Sequence, residues 1–323
     1  MNEYFAPMEG ITGYIYRNAF QKYGWKMEKY FSPFLAPKTN TKKCFNHREY
    51  EDIRPDHNEG LHLVPQILTN RAGDFLKLAE ALEELGYQEI NLNLGCPSPT
   101  VVTKKKGAGF LGEPEKLREF LEEIFQGTSL DISVKTRIGL EDPEEFTKLL
   151  EIYNQYPLKE LIIHPRIQKD FYKNTPRMEA FSYGLEHSRA KVCYNGNLFT
   201  KEDYQTFCGS YPACTHVMLG RGLLANPGLL QEVHNKTPMD RETFSCFHRE
   251  IYENYQEVSC GERNVLFKMK ELWFYFREMF PEGKKQIKRI KKAETLRKYE
   301  EAVNDLFQNV PLYYESQMTG KES

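Results

Sequence analysis

Glu89-Ile-Asn-Leu-Asn-Leu-Gly-Cys-Pro-Ser-Pro99 is the stretch that decides the fold, because it joins a buried strand to a loop equipped for chemistry. Apolar residues alternate with two asparagines and a glycine, which is the period-two pattern of a β-strand. Cys96 follows the strand, and the basic segment 104–109 comes soon after. A lone cysteine is more often a small buried apolar side chain than a reactive one. A thiol and a basic loop just beyond a strand are, however, typical of the place where an α/β enzyme carries out its reaction.

Strand and helix patterns alternate eight times between residues 4 and 230. The predicted strands cover residues 4–10, 30–36, 63–68, 89–95, 131–137, 160–165, 191–195 and 215–219. Helical patterns connect them, except that residues 37–60 are polar and predicted to be irregular. Asn70 or Asp74 is expected to cap the helix after the third strand. Eight such units predict an α/β fold, a closed (β/α)8 TIM barrel of parallel strands.

The composition changes after about residue 239, where strand patterns cease. Helices are predicted over residues 242–276 and 284–306, with Pro281-Glu-Gly283 between them. We therefore predict a barrel over residues 1–238 and a small all-helical domain over 239–315. Residues 316–323 are predicted to form a disordered tail.

The overall composition excludes several classes of protein. With 44 basic and 46 acidic residues in 323, the chain is not a general polyanion binder, so any contact with nucleic acid needs a local patch. The 7 cysteines include no C-x-x-C pair, which argues against a zinc cluster or a dithiol centre, and no metal is expected. We see neither a leader peptide nor a membrane-spanning apolar run. We expect a reduced cytoplasmic protein without membrane contact, and a monomer.

Polar residues and glycines gather at the C-terminal ends of the predicted strands, which share one rim in a barrel. The loops after strands seven and eight of such barrels often bind phosphate through backbone N–H groups. The residues that fit this role are Asn195, Gly196, Asn197, Gly220 and Arg221. Ordinary glycine turns have the same appearance, and a phosphorylated sugar would use the same loops. The phosphate pattern alone therefore does not name the ligand.

Lys135 lies inside a predicted strand, and a cation in the mouth of a barrel needs an anionic partner. Reduced flavin carries negative charge near N1 and O2, which a nearby cation stabilises. Gln66 could bind the polar edge of the same ring, and His164 adds a donor or cation. His164 by itself would more often be a hydrogen-bonded core histidine. Together with the phosphate pattern, these residues suit FMN.

Seven segments follow one another in the order of a known family. They are Ala6-Pro-Met-Glu-Gly10, Gln66-Ile-Leu68, Asn93-Leu-Gly-Cys-Pro97 with Gly107-Ala-Gly109, Val134-Lys-Thr-Arg137, His164-Pro-Arg166, Asn195-Gly196 and Met218-Leu-Gly-Arg-Gly222. Over about residues 4–230 the chain thus resembles the tRNA-dihydrouridine synthases, FMN enzymes that reduce a uridine base in RNA. The segment around Cys96 is the most specific. The helical C-terminal RNA-binding domain of that family agrees with the helices predicted beyond about residue 240.

The resemblance implies an NADPH-driven, FMN-dependent reduction of a uridine to 5,6-dihydrouridine in tRNA. Cys96 would be the general acid that protonates C5 of the uracil, while hydride from reduced FMN goes to C6. Asn93 would bind the uracil edge, and Arg166 the flavin phosphate or the base. The residues implied to hold FMN are Pro7, Met8, Glu9, Gln66, Lys135, His164, Asn195, Gly196, Asn197, Gly220 and Arg221. The sequence has no G-x-G-x-x-G element, which agrees with transient NADPH binding.

Two basic segments are expected to bind RNA phosphates. They are Lys104, Lys105 and Lys106 after the cysteine, and Lys288, Arg289 and Lys292 on a C-terminal helix. A run of charges is often only a solvated helix face. A run of positively charged residues without acidic residues between them favours a polyanionic partner. The target uridine would have to leave its base stack to reach the flavin.

Three residues depart from the family pattern. Asn91 stands where many members have Asp, Pro165 replaces a common Gly, and Asn197 replaces the usual acidic residue. The sequence therefore does not assign the uridine that is reduced.

Other functions remain open from the sequence. The same chemistry could act on ribosomal RNA, or the barrel could be a dihydroorotate-type flavin enzyme for a free pyrimidine. It could also be a non-catalytic RNA-binding protein. The basic helical region argues against a small substrate, and Cys96 with Lys135 argues against loss of catalysis.

Overall fold

The computed structural model describes residues 1–37 and 44–315. The predicted tail, 316–323, lies outside the described residues, as do residues 38–43 of the segment predicted to be irregular.

Eight parallel strands close into a barrel in which each strand pairs with the next and the last pairs with the first. The strands are β1 (Asn2–Phe5), β2 (Lys29–Leu35), β3 (Leu63–Ile67), β4 (Glu89–Leu94), β5 (Asp131–Gly139), β6 (Glu160–Ile167), β7 (Lys191–Tyr194) and β8 (His216–Leu219). This confirms the predicted (β/α)8 TIM barrel.

Helices connect the strands and continue beyond them. Those up to the end of the barrel are α1 (Tyr14–Tyr23), α2 (His47–Ile53), α3 (Ala72–Glu84), α4 (Pro99–Val102), α5 (Pro114–Gly127), α6 (Glu145–Tyr153), α7 (Met178–His187), α8 (Lys201–Ser210), α9 (Arg221–Ala225) and α10 (Leu229–Asn235). The C-terminal helices are α11 (Arg241–Val258), α12 (Glu262–Phe276), α13 (Lys284–Lys292) and α14 (Leu296–Asn309). Short 3-10 helices span Pro55–Asn58, Gly107–Gly112, Gln168–Asp170 and Arg277–Met279.

A layer of buried side chains fills the middle of the barrel. Its members come from β1, β2, β3, β6, β7 and β8, and they are Tyr4, Ala6, Phe31, Val64, Ile162, Cys193 and Met218. Successive side chains of a strand point to opposite faces, so residues two positions further along a strand also face the interior. These residues form the next layer of the barrel interior, one step closer to the C-terminal rim. This period places the polar residues of the site directly above an apolar floor.

The segment predicted to be irregular, 37–60, contains helix α2, so that prediction is wrong for the described part. Asn46 caps the helix by accepting a hydrogen bond from the Glu49 amide at 2.9 Å, and Glu49 accepts one from the Asn46 amide at 2.8 Å. This reciprocal capping box stabilises a helix that has little apolar periodicity. The Asn-x-x-Glu spacing was the signal that could have predicted it.

The predicted cap of α3 is also wrong. The residue at the N-cap position is Arg71, and its side chain does not cap the helix. Asn70 instead donates hydrogen bonds to the carbonyl oxygens of Lys104 and Lys105, at 3.1 and 3.0 Å. A polar side chain expected to serve its own helix thus supports the basic loop after β4.

The two predicted C-terminal helices are each divided in the structure. Helix α11 ends before Gly261, whose φ of +86° suits glycine and lets α12 begin in a new direction. Helix α14 begins after Thr295, whose hydroxyl accepts a hydrogen bond from the Lys298 amide. Among the described residues, no helix is long and apolar enough to span a membrane.

The chain divides into two compact units. The first consists of Met1–Glu9, Met27–Asn197 and Ser210–Leu219 and holds all eight strands. The second consists of Gly10–Lys26, Leu198–Gly209 and the residues from Gly220 onward, and holds the C-terminal helices. The domain boundary near residue 238 stays a prediction.

Candidate active site

Polar side chains form the layer above the apolar floor of the barrel. Gln66, His164 and Asn195 stand two positions beyond Val64, Ile162 and Cys193 on their strands, and Asn93 pairs in register with Lys135. Each of these five predicted site residues thus belongs to the interior face at the C-terminal side of the barrel. The structure brings them together, because parallel strands with matching phase end at one rim.

A chain of amides links strands β3, β4 and β5. Asn93 Nδ2 donates to Gln66 Oε1 at 2.6 Å, and Gln66 Nε2 donates to Asn91 Oδ1 at 2.8 Å. Asn91 Nδ2 then donates to Ser133 Oγ at 2.9 Å. Buried amides need partners for both the donor and the acceptor, and this chain supplies them. Asn91 was noted only as a departure from the family pattern, yet it is the central link.

Asn93 also fixes the loop that carries the thiol. Its Oδ1 accepts hydrogen bonds from the Gly95 amide at 3.1 Å and the Cys96 amide at 2.9 Å. The oxygen of Asn93 is therefore occupied within the protein. The role predicted for Asn93 toward the uracil edge is therefore limited to the second hydrogen of Nδ2, the one that is not donated to Gln66.

Two glycines allow the basic loop to pass close to the thiol. The Ala108 amide donates to the Cys96 carbonyl at 3.0 Å. A Cβ on Gly107 would lie 2.9 Å from that carbonyl oxygen, and Gly107 has a φ of +54°. A Cβ on Gly109 would lie 2.6 Å from the Val102 carbonyl oxygen. Glycine is thus required at positions 107 and 109, because the neighbouring backbone lies too close to leave room for a Cβ atom.

The thiol of Cys96 is half-buried, and burial raises its pKa above the ordinary value. The backbone at Ser98 and the charges of Arg137 and Lys135 oppose this shift only in part. Cys96 therefore keeps its proton at neutral pH. A protonated thiol on a rim loop is suited to act as an acid rather than as a nucleophile.

Lys135 is a half-buried cation on the interior face of β5. Among the residues that the structure describes, its ammonium group has neither an ion pair nor a hydrogen bond. Burial, and next the positive charge of Arg137, lower the pKa of Lys135 to about 8. A cation without an ion pair on the interior face of the barrel is suited to an anionic ligand.

Arg137 is a residue of the site to which the sequence analysis gave no role. It is fully buried, and its Nε donates to the Gly95 carbonyl at 3.0 Å. Its terminal nitrogens donate to the carbonyls of Ile167 at 2.9 Å and Phe171 at 2.8 Å. Arg137 thus ties the cysteine loop to the loop after β6. Its spacing of two from Lys135 was the signal that both side chains share one face.

Arg166 joins β6 to the loop after β7. Its guanidinium lies 2.9 Å from His164 Nε2 and donates to Asn197 Oδ1 at 3.1 Å. It also donates to the Asn174 carbonyl. Arg166 thus links His164 of β6 to Asn197 in the loop after β7.

Asp170 organises the loop after β6 and was missed from the sequence. It accepts hydrogen bonds from the Ile167 amide at 3.0 Å and from the side chains of Asn174 and Arg177. Burial alone would raise the pKa of Asp170, but these partners lower it overall. Gln168 Nε2 donates to the Pro97 carbonyl at 3.0 Å, which ties this loop to the cysteine loop a second time.

Most of the other predicted residues of the first unit lie nearer to solvent, whereas Asn195 is buried. Pro7 and Met8 are half-buried, and Glu9 is exposed with Arg48 at 3.6 Å. Lys104 and Lys105 are exposed, whereas Lys106 is half-buried and burial lowers its pKa. Asn195 donates to the Met218 carbonyl at 2.8 Å, while Gly196 follows it in a half-buried turn.

The second unit carries the remaining predicted residues. Gly220 precedes α9, and the guanidinium of Arg221 lies 5.1 Å from the centre of the Phe199 ring. On α13 and α14, basic side chains surround a pocket of about 380 Å³, which is lined by Lys285, Lys288, Arg289, Lys292, Ala293, Lys298 and Glu301. The three predicted RNA-binding residues of α13 therefore meet at one cavity.

Within residues 1–37 and 44–315, no group of three or more His, Cys, Asp or Glu side chains is placed to hold a metal ion. The closed barrel of eight parallel strands, with the candidate site at its C-terminal rim, defines the fold class as a TIM barrel. Among solved structures, the chain is similar to a variant of NCR from Zymomonas mobilis, at 12% identity and a TM-score of 0.51. It is also similar to morphinone reductase in complex with tetrahydroNAD, at 12% identity and a TM-score of 0.50. Each likeness covers 76% of this chain and 90% of the other, and at this identity it concerns the fold alone.

The family model for dihydrouridine synthase (Dus) matches residues 4–317. The chain therefore belongs to the dihydrouridine synthase family, whose members are oxidoreductases that modify tRNA and are generally FMN flavoenzymes. This confirms the resemblance found in the sequence.

Curated relatives agree with this assignment. The tRNA-dihydrouridine(16) synthase of Pseudomonas syringae pv. tomato is 29% identical over 71% of this chain and 73% of its own length. The tRNA-dihydrouridine synthase B of Pasteurella multocida is 25% identical over 73% and 70% of the two chains. A probable tRNA-dihydrouridine synthase of Staphylococcus epidermidis is 24% identical over 78% of each chain.

Proposed function

We propose that this protein reduces a specific uridine of tRNA to 5,6-dihydrouridine, with FMN as cofactor, NADPH as reductant and Cys96 as the general acid. The observation that carries the proposal is the position of Cys96 at the barrel rim, where Asn93 accepts a hydrogen bond from its amide and Gly107 lies close to it. Burial raises the pKa of its thiol, which agrees with a role as an acid. Membership of the dihydrouridine synthase family supports the reaction class.

The upper layer of the barrel fits a flavin. Lys135 offers an unpaired cation of the kind that the anionic N1 and O2 edge of a reduced flavin requires. Gln66 belongs to the same interior face, where it is hydrogen-bonded to Asn91 and Asn93. Arg166 donates a hydrogen bond to Asn197, near the proposed phosphate position. The residues proposed to hold FMN in this unit are Pro7, Met8, Glu9, Gln66, Lys135, His164, Asn195, Gly196 and Asn197. Gly220 and Arg221 stay a prediction from sequence.

The protein's own residues handle the proton. FMN held by these residues would supply the hydride chemistry at C6 of the uracil, with NADPH as the source of the electrons. Cys96 donates its thiol proton to C5, so the C5–C6 double bond becomes single and a thiolate remains. The thiolate then regains a proton from solvent. Asn93 and Arg137 act as positioning residues, because both hold the Gly95–Cys96 backbone in place.

Charge on the second unit supports a polyanionic substrate. The pocket between α13 and α14 gathers Lys288, Arg289 and Lys292 with two further lysines. A free pyrimidine would need no such surface, so RNA is favoured over a dihydroorotate-type substrate. The names of the curated relatives favour tRNA over ribosomal RNA.

The test incubates the purified protein with FMN, NADPH and unmodified transcripts of tRNA and ribosomal RNA, and maps dihydrouridine by mass spectrometry. Wild type should form dihydrouridine at one position of tRNA. Cys96→Ala should keep the flavin absorbance and lose turnover by about 100-fold or more, since general acid catalysis contributes at least that factor.

Cys44→Ala serves as the matched control, because Cys44 is another half-buried free thiol of the same unit. It should retain full turnover. Full activity of Cys96→Ala would remove the general-acid assignment. Reduction of ribosomal RNA or of free orotate alone would replace tRNA as the substrate.

A further inference from the structure

One face of helix α12 combines aromatic and basic side chains that the core does not use. Arg263, Phe267, Lys270 and Phe274, hereafter the α12 stripe, are spaced three or four residues apart. They therefore fall within roughly 60° of one another around the helix axis. The opposite face of α12 faces the core, and its buried residues are Val265, Leu266, Met269, Leu272, Trp273 and Phe276.

The two rings of the α12 stripe are largely exposed. Phe267 is 66% exposed and Phe274 is 53% exposed, values that are high for phenylalanine. The helix already has an apolar face in the core, so these rings are not needed for folding. Aromatic side chains that share one exposed face are typical of a binding surface.

Cations flank Phe274 on two sides. The Arg277 guanidinium lies 4.7 Å and the Lys291 ammonium 5.7 Å from the centre of the ring. The neighbouring acids are already engaged, since Glu271 lies 3.8 Å from Lys268 and Glu278 lies 3.0 Å from Arg277. Among the described residues, Lys270 and Lys291 stand outside these ion pairs, so the surface around the rings carries an excess of positive charge and suits an anionic partner.

The α12 stripe is continuous with the basic helix α13. Lys291 belongs to α13, and Lys270 of the stripe donates a hydrogen bond to the Ala293 carbonyl at the end of that helix. The basic residues of α13 and the exposed rings of α12 thus form one surface of the second unit. An RNA strand presents both groups that such a surface can bind, namely phosphates for the cations and bases for the rings.

We propose that the α12 stripe binds unpaired nucleotides of the RNA substrate. Bases stack on Phe267 and Phe274, while Arg263, Arg277 and Lys291 attract the adjoining phosphates. The assignment rests on the proposed function in one respect, since it takes RNA to be the substrate. The proposal adds base stacking in the second unit to the attraction of cations for phosphates. A purely electrostatic surface would bind RNA whether or not its bases are unpaired.

The test measures the Kd of the full-length protein for a fluorescein-labelled, unmodified tRNA transcript by fluorescence anisotropy, without NADPH. Phe267→Leu keeps an apolar side chain but removes the aromatic face, whereas Phe267→Trp keeps that face. We expect the Leu variant, and the double variant with Phe274→Leu, to bind about 5-fold or more weakly. The Trp variant should bind like wild type, and the slope of log Kd against log salt should not change, because no cation is lost.

Val258→Ala is the matched control, because Val258 is a 55% exposed apolar residue of α11 in the same unit. Its Kd should equal that of wild type. The proposal is overturned if the double Leu variant binds RNA as tightly as wild type, or if Leu and Trp variants behave alike. Either outcome would make the stripe an apolar docking face for a protein or a surface without a ligand. Dihydrouridine formation is scored separately, so failure of the reaction and failure of the stacking site are distinguishable.

Discussion

At the scale of single residues, the proposed site contains two ionisable groups whose pKa values are shifted in opposite directions. Burial raises the pKa of the Cys96 thiol and lowers that of the Lys135 ammonium to about 8. Both shifts favour the neutral form, which is what burial without an opposite charge produces. Cys96 therefore holds a proton to donate, and Lys135 stays cationic only while the pH is below about 8.

A pH dependence of FMN binding follows for Lys135. In the free protein the ammonium loses its proton as the pH rises through about 8, so its attraction for the anionic cofactor is lost in that direction. We expect the Kd for reduced FMN, measured by anaerobic absorbance titration, to rise about tenfold between about pH 7 and about pH 9.

Two lysine variants control this measurement. Lys135→Met should bind FMN weakly at neutral pH, and the Kd of this variant should not change with pH over the same interval. Lys159→Met removes a lysine whose side chain is 45% exposed and should reproduce the wild-type profile. A wild-type Kd that does not change over this interval would remove Lys135 from the flavin site.

At the scale of elements, the loops after β4 and β6 are built as one assembly. Arg137 of β5 contacts the carbonyls of both loops, and Gln168 adds a direct hydrogen bond to Pro97. The 3-10 helix Gly107–Gly112 closes against the cysteine through the Ala108 amide. The position of the thiol therefore depends on residues from three consecutive strand–loop units.

Gly107 and Gly73 give a matched pair of glycine substitutions. Gly107→Ala places a Cβ 3.0 Å from the Cys96 Cβ at a φ of +54°. It should destabilise the protein by about 1–3 kcal/mol and lower kcat by displacing the thiol. Gly73→Ala in helix α3 meets nothing within 4 Å and should be neutral or stabilise by up to about 1 kcal/mol.

Urea unfolding and dihydrouridine formation together check this pair. The reduction of kcat should appear in Gly107→Ala even at temperatures where the variant is fully folded. If Gly107→Ala kept wild-type kcat, close contact between the glycine loop and Cys96 would not be needed for the reaction.

At the scale of the whole barrel, buried charges link the N-terminal ends of five strands. Lys29 lies 2.8 Å from Glu89 and 3.0 Å from Glu160, while Glu160 also accepts from Tyr4 at 2.7 Å and pairs with Lys191 at 3.2 Å. These contacts join β1, β2, β4, β6 and β7 at the end opposite to the site. Removing one partner of such a group leaves a buried charge without compensation.

Lys29→Met should therefore lower the free energy of unfolding by about 3–5 kcal/mol, measured by urea denaturation of the barrel. Lys159→Met is the control, because the ion pair of Lys159 with Asp131 is exposed and worth about 0–1 kcal/mol. Equal losses for the two variants would show that the buried group does not stabilise the barrel.

The same group predicts the sign of the pH dependence of stability. Burial alone would lower the pKa of Lys29, but Glu89 and Glu160 raise it above 10.5, so its contribution is present below that pH and lost as the pH rises further. Burial alone would raise the pKa of Glu160, but Lys29 and Tyr4 lower it below 4.5. The contribution of Glu160 to the free energy of unfolding is present above about pH 4.5 and is lost as the pH falls further. Lys29→Met should narrow the pH range in which the protein is stable, at both the acidic and the alkaline limit.

The sequence by itself determined the eight strands, their helices and the residues that share the rim. It did so because period-two and helical patterns are local properties of the chain, and parallel strands in phase bring equivalent positions together. Gln66, Asn93, Lys135 and His164 could be predicted in this way. The sequence missed α2, whose signal is a capping box rather than an apolar pattern.

Only the tertiary structure decided how these residues are used. The oxygen of Asn93 binds the Cys96 backbone, Asn70 supports the basic loop instead of a helix, and Arg137 holds carbonyls of two other loops. The Lys29 group likewise joins residues up to 156 positions apart. Such contacts depend on the closure of the barrel and on the direction of each side chain, neither of which is encoded in the spacing of neighbouring residues.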